Sequence, residues 1–472
     1  MPSKFYAMTP DEKLQLDLRD LQRIHEGLEA YVRLDAEGVV ARLKEHQEDA
    51  SCDVNNHAGT GRLMCTRDSY EATLDLAERH RDSLPVPDDY SIDEIAAGIR
   101  ELVVRATVEE RQDEAILARV LSEATTRAER NHVERTYHFP CIVLAGREPE
   151  QFEIGPVLFR TAKAFSQAFA KDLQEYVGTG SQVTDTSERV AQFEKFIETL
   201  GWVGSVSIPR SAEESSQRRA EVAVGTAINI LRLFFGVPHA RDMRVWQSAS
   251  GEPLYSEHAV SEGGKLDILI SRHVPGALVK DDWHLAMGKF RPFWDRADHL
   301  VTTAVMGKRS EIAERVMDAL TWFGEAAFEP APGAQIINFV AALERLTTTE
   351  TSSTAKFCSR VAMLAYETEA DFEKTLWNAY DVYDARSKVI HGGLSPSNPA
   401  LLRSLRIAHD VTRNALFRGM EVHCLLDDSG SMSGLRELQN FFEEQESKWE
   451  NLLNRLTREV REKRSEARRS QS

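Results

Sequence analysis

The sequence predicts a mixed, mainly helical protein: an N-terminal helical region, then an α+β region, then a C-terminal antiparallel helical bundle. Three observations carry this reading. From about residue 309 apolar side chains recur every three or four positions, the period of amphipathic helices. They form four successive stripes: Ile312, Val316, Leu320, Phe323, Ala327; Ile336, Phe339, Leu343, Leu346; Phe357, Val361, Leu364; and Phe372, Leu376, Tyr380, Tyr383. Short polar connections (EPAPGAQ, TTTETSS, ETEAD) separate the stripes, lengths that favour antiparallel neighbours. Between about 135 and 305 the texture differs. Runs such as YHFPCIVLAG, FEIGPVLF and GWVGSVSIP are rich in β-branched and aromatic residues and bounded by Gly or Pro, which predicts strands.

Taken in order, residues 10–47 and 91–132 read as helices, the first from the spacing of Leu14, Leu18, Leu21, Ile24 and Leu28. A polar stretch (SCDVNNHAGTG) and a loop marked by Pro85 and Pro87 lie between them. Within the α+β region, residues 218–235 form a helix whose apolar positions (Val222, Ile228, Ile230, Leu231, Phe234) run nearly all round, as in a helix covered on more than one side. Strand-like pieces follow around MRVWQS and GKLDILISR. The fourth bundle helix stops at Gly392-Gly393, since glycine accepts the left-handed conformation that ends helices. Asn398 then caps a fifth helix with Pro399 in its first turn, running to about Cys424. After DDSGSMSG a last helix presents Leu435, Leu438, Phe442, Trp449, Leu452, Leu456 and Val460 on one face, before a basic end (EKRSEARRSQS). The expected division is 1–134 (helical), 135–305 (sensor or recognition region), 306–425 (bundle) and 426–472 (linker and C-terminal helix).

Composition narrows the function. The 472-residue chain is long enough for two to four domains. No run of about eighteen apolar residues occurs, so no transmembrane helix is expected. The N-terminal sequence lacks the apolar stretch of a secretory signal. Five scattered cysteines without a CxxC pair fit buried thiols in a reducing cytoplasm better than a disulfide framework. A net charge of −17 argues against a general polyanion binder, so any nucleic-acid contact is local.

The most informative segment is Tyr380–Gly393, YDVYDARSKVIHGG. It places Arg386, a permanent cation, and His391, a side chain type that titrates near neutral pH, at the end of an amphipathic helix. That pairing suits phosphodiester chemistry without a metal: arginine holds a phosphate while histidine moves a proton. The bare Arg-x4-His spacing also occurs at Arg127/His132 and Arg418/His423, neither beside a Gly-Gly stop. Five residues along a helix turn two side chains about 140° apart, so loosening before Gly392 is needed to bring His391 back toward Arg386. The ordinary reading is an arginine paired with Asp381 or Asp384 and a histidine favoured at a helix C-terminus.

The segment from Arg309 to about Cys424 resembles a HEPN domain of the Apea-like group. The resemblance rests on the WFGEAAFE ending of the first bundle helix, the ALERL of the second and, above all, YDARSKVIHGG. It implies a HEPN-like bundle and a metal-independent endoribonuclease of toxin or antiphage-defence systems. It further implies a homodimer with Arg386 and His391 as catalytic residues at the subunit interface. Many relatives carry Asn, Asp or His directly after the arginine, where this chain has Ser387, which can hydrogen-bond a phosphate but is no proton carrier. Chemistry gives the dimer a reason. Attack by a 2′-hydroxyl needs a base, an acid for the leaving oxygen and cationic stabilisation, and two subunits supply two histidines and two arginines. Ser387, Lys388, Arg403, Arg406 and Arg413 are the candidate RNA contacts. Residues 372–424 hold seven Lys or Arg against five Asp or Glu, reversing the acidic average.

Other constellations are weaker. Glu262, Lys265 and Asp267 resemble part of a nuclease strand but lack the following (D/E)xK, and Cys52, His57 and Cys65 fit no familiar zinc spacing. No Walker loop follows a strand. The expectation is therefore a cytoplasmic endoribonuclease that needs no cofactor or metal and no membrane. It acts on RNA as a homodimer and is triggered through its N-terminal region by an unknown signal. The alternative is a non-catalytic interaction protein or an antitoxin-like regulator built on the same bundle.

Overall fold

Thr9-Pro10-Asp11-Glu12 opens the first helix with a reciprocal cap. The Thr9 N–H donates to Glu12 Oε2 (2.8 Å) and the Glu12 N–H donates to Thr9 Oγ1 (3.3 Å), satisfying donors that a helix start leaves unpaired. The structure is a computed structural model. It describes residues 9–32, 52–55, 62–106, 114–146, 148–171, 173–174, 186–245, 255–262, 265–272, 283–307, 310–349, 353–428 and 434–469. The chain divides into two compact units, Met1–Arg135 with Ile208–Arg219, and Thr136–Ser207 with Ala220–Ser472. The segments 135–305 and 306–425 thus fall largely in one unit.

The first unit holds α1 (Pro10–Val32), a hairpin of β1 (Cys52–Asn55) and β2 (Arg62–Cys65), α2 (Arg67–Arg81), α3 (Ile92–Ala106) and α4 (Glu114–Asn131). Its core gathers Leu21, Ile24 and Leu28 from α1 with Leu76, Ile95, Ile99 and Val120. Three expectations are corrected here. Part of the polar stretch pairs as the β1–β2 hairpin, residues 67–81 are helical, and 91–132 holds two helices rather than one, with 107–113 outside the described residues. The end of the predicted 10–47 helix beyond residue 32 also lies outside them. An ion network ties α2 to α1: the buried Arg79 donates from Nε to Asp17 Oδ1 (2.7 Å) and from Nη2 to Asp20 Oδ2 (2.6 Å).

A sheet that falls mostly in the second unit is formed by β3 (Val133–Ile142), β4 (Gln151–Ile154), β5 (Val157–Thr161), β6 (Trp202–Ser211) and β7 (Arg244–Val245), in the order β4-β5-β6-β3-β7. Its β4–β5, β5–β6 and β3–β7 pairs are antiparallel. Two short helices, α5 (Ala162–Ala168) and α6 (Thr186–Leu200), accompany it, and the Trp202 indole N–H donates to the Leu144 carbonyl at 2.9 Å. Helix α7 (Glu213–Phe235) starts earlier than the predicted 218. Ala223, Val224, Ala227, Ile228, Ile230, Leu231 and Leu233 are all buried, as a helix covered on several sides requires. Val222 and Phe234 are only half-buried. After the four-residue α8 (Val237–Ala240), β8 (Tyr255–Glu262) pairs with β9 (Lys265–Arg272), and α9 (Trp283–Lys289) and α10 (Arg291–Met306) follow. The sequence reading did not single out these last two helices. Phe293 of α10 meets Phe417 of the bundle edge-on at 5.1 Å.

The bundle comprises α11 (Glu311–Ala326), α12 (Pro332–Thr347), α13 (Thr354–Ala365), α14 (Phe372–Ile390) and α15 (Leu402–Asp428). Ser310 and Ser353 cap α11 and α13, accepting from the N–H groups of Ala313 and Lys356. Phe323, Phe339, Leu343, Val361, Leu364 and Leu376 are all buried, so one apolar stripe from each of four helices faces the common interior. Leu343→Ala is expected to lower stability by about 2–5 kcal/mol, measured by denaturant unfolding, because the site is fully packed and collapses poorly. The last helix, α16 (Leu435–Arg469), joins the bundle. Leu438 and Phe442 are buried and Trp449 stacks on Phe372 at 4.1 Å. It continues through the basic segment, where no Gly or Pro interrupts it.

The close contact of α7 with α11 depends on Gly324 in the WFGEAAFE segment. A Cβ there would lie 2.2 Å from Asn229 Oδ1 and 2.6 Å from Arg232 Nη1. Arg232 donates to Asn229 Oδ1 (2.5 Å) and to the Met243 carbonyl, with its guanidinium 4.5 Å from the centre of the Phe328 ring. Burial pushes this guanidinium down to about 9, so it remains charged at neutral pH. Gly324→Ala is expected to displace these two buried side chains and lower the thermal midpoint, at a cost of about 1–3 kcal/mol.

Candidate functional site

Helix α14 carries Arg386, holds His391 at its C-cap and ends where its sequence says it should. Gly392 takes a left-handed φ of +74°. The His391 N–H donates back to the Ser387 carbonyl (3.0 Å), and the Leu394 N–H to the Lys388 carbonyl (3.1 Å), so the last turn keeps its acceptors satisfied. The following loop is pinned to the start of α12 by the Gly333 N–H donating to the Pro396 carbonyl (2.8 Å). Asn398 Oδ1 then accepts from the Ala400 N–H (2.9 Å), and the 3₁₀ turn Pro399–Leu401 leads into α15.

Arg386 lies on the side of α14 that faces α12. Its Nη2 is 3.6 Å from Glu344 Oε1, its guanidinium is 5.8 Å from the Tyr383 ring centre, and its buried Nε–H has no hydrogen-bond partner among the described residues. Neither Asp381 nor Asp384 is its partner. Asp384 pairs with Lys388 at 2.7 Å. His391 sits at the C-cap, exposed, and its ring makes no hydrogen bond or ion pair among the described residues. The rival pairs differ on this point: His132 and His423 are both buried, and their arginines pair with Glu101 and Glu421. Only the motif at 386–391 presents its imidazole to solvent.

The candidate RNA contacts divide. Arg403 and Arg406, in the first turns of α15, are exposed and make no ion pair among the described residues, and Lys388 is exposed beside Asp384. Ser387 is half-buried. Arg413 is engaged elsewhere and is a correction to its reading as an RNA contact. It donates from Nε to the Leu233 carbonyl and from Nη2 to the Phe234 carbonyl, both at 2.8 Å, capping the C-terminus of α7. One turn earlier, His409 Nε2 accepts from the Val237 N–H (3.3 Å) at the start of α8, while its Nδ1 lies 2.9 Å from Asp410 Oδ1. A ring nitrogen that accepts is unprotonated, so His409 is neutral here.

Burial lowers the pKa of His409, opposed by Asp410. Its folded value lies below the unfolded one of about 6.5, so its contribution to stability is present above that pH and is lost as the pH falls through the folded value. Thermal unfolding at about pH 7.5 and about pH 5.5 is therefore expected to show a larger acid-induced drop for the parent than for His409→Gln. His80 and His138, also lowered by burial, act equally in both proteins.

Glu344 and Tyr383, which surround Arg386, were not among the sequence candidates. Among the described residues no group of three or more His, Cys, Asp or Glu side chains is placed to hold a metal ion, and no helix is long and apolar enough to cross a membrane. His57 lies outside the described residues, and Cys52 and Cys65 are cross-strand partners in the β1–β2 hairpin. No protein-family model, curated protein or solved structure matches the chain. The site holds a helix-end arginine with one buried Nε–H lacking a partner among the described residues, followed by an exposed histidine. The helix stays regular through Ile390, with the His391 N–H on the Ser387 carbonyl, so the loosening that would turn His391 toward Arg386 within one chain is not seen.

Proposed function

We propose that the chain is a metal-independent endoribonuclease of the toxin or antiphage-defence kind. It would work in the cytoplasm as a homodimer through its HEPN-like bundle. The observation that supports this best is the state of the two motif residues. Arg386 keeps an unpaired Nε–H beside a loosely held guanidinium, and His391 is exposed and unengaged, whereas the histidines of both rival pairs are buried. In this reading Arg386 positions and neutralises the scissile phosphate, and His391 acts as base or acid toward the 2′-hydroxyl or the leaving oxygen. Arg403, Arg406 and Lys388 contact the strand on either side. The net charge of −17 keeps the remaining surface from holding RNA indiscriminately.

The test is incubation of the purified full-length chain with labelled RNA in excess EDTA. Cleavage under those conditions supports the nuclease. Intact RNA supports a bundle that only dimerises or binds a partner. Arg386→Lys is expected to restore part of the activity lost in Arg386→Ala, since an ammonium supplies the charge without the planar fork.

A further inference from the structure

The partner of Arg386 is a carboxylate from another helix, and its geometry is that of a pair that can be opened. A single contact of 3.6 Å lies outside the 2.7–2.9 Å of a charge-assisted hydrogen bond, and the Arg386 Nε–H is unpaired. Both side chains are partly open to solvent, 25% for Arg386 and 39% for Glu344. The neighbouring cation does not compensate Glu344: Arg345 donates instead to Asp318 Oδ2 at 2.7 Å. Among the described residues Arg386 is the only cation paired with Glu344.

We propose that Glu344 is the resident anion of Arg386: its carboxylate holds the guanidinium in place and competes with a phosphate group for it. This rests on the reading of Arg386 as the phosphate-binding residue. A long, partly exposed ion pair of this kind is weak, so a phosphate offering two oxygens to the fork displaces it. The displaced carboxylate then lies a few ångströms from the bound phosphate and repels it. Glu344 is a positioning residue that sets how tightly the site takes an anion.

The experiment reads Arg386 directly. The full-length chain, in a buffer free of phosphate, is treated with phenylglyoxal, and modification of Arg386 is followed by peptide mass spectrometry while inorganic phosphate is titrated in as protectant. In Glu344→Gln the half-protecting phosphate concentration is expected to fall roughly three- to tenfold, the effect of removing one charge at this range in a partly screened setting. Glu344→Asp, which keeps the charge, should stay within about twofold of the parent. The exposed Arg403 and Arg406 serve as internal controls whose protection does not change. An unchanged or higher half-protecting concentration in Glu344→Gln, with an unaltered thermal midpoint, overturns the proposal. A short 2′-O-methyl RNA oligonucleotide, which cannot be cut by 2′-hydroxyl attack, as second protectant distinguishes a strand from free phosphate. Protection by phosphate alone would leave the competition standing while removing RNA as the ligand.

Discussion

Arg386→Ala is expected to reduce RNA cleavage by roughly 10²–10³-fold or more while leaving the fold intact, the scale seen when one preorganised stabiliser of a developing anion is removed. The surroundings of the side chain make the two effects separable. Among the described residues its one ion pair is long and its Nε–H has no partner, so truncation breaks no short buried bond. The thermal midpoint should therefore move little, and the loss should fall on turnover. A variant that retains full activity would remove Arg386 from the catalytic role, and one that unfolds would overturn the separation of activity from fold. His391→Ala is expected to match it in activity, with still less effect on stability, because the ring is exposed.

The largest stability effect is expected in the other unit. Arg79→Ala leaves the Asp17 carboxylate, 11% exposed, without its guanidinium, while the deeply buried Asp20 keeps, among the described residues, only Arg23 Nη1 at 2.8 Å. Breaking a buried pair by removing one partner costs about 3–5 kcal/mol, because an uncompensated charge stays behind. Arg79→Met combined with Asp17→Asn and Asp20→Asn should recover much of that loss, since it removes the stranded charges along with the cation. Chemical denaturation of the three proteins checks this. A single variant as stable as the parent would mean that the network contributes nothing.

How far the sequence alone reaches is visible in particular residues. The bundle was legible because its signals are local: stripes such as Phe372, Leu376 and Tyr380, the Gly392 stop and the Asn398 cap all act within a few residues. Helix α2 was hidden because its inner face carries Thr73 and Arg79 beside Ala72 and Leu76, which breaks the apolar stripe. The β1–β2 hairpin was hidden because its strands are four residues each in a stretch whose first half reads as polar. At the site, Arg386, His391 and the helix stop were legible. Glu344 was not, because it reaches Arg386 from another helix and only the fold brings them together. Arg413 looked like any solvated helix arginine, and its acceptors, the carbonyls of Leu233 and Phe234, lie some 180 residues away.

One measurement tests the nuclease reading most directly: incubation of the parent and of His391→Ala, both in excess EDTA, with a labelled RNA and with its 2′-deoxy counterpart. The parent is expected to cut the RNA without a metal, leave 2′,3′-cyclic phosphate ends and spare the deoxy strand, and His391→Ala to cut neither. Uncut RNA with the parent, or cleavage that survives in His391→Ala, would contradict that reading.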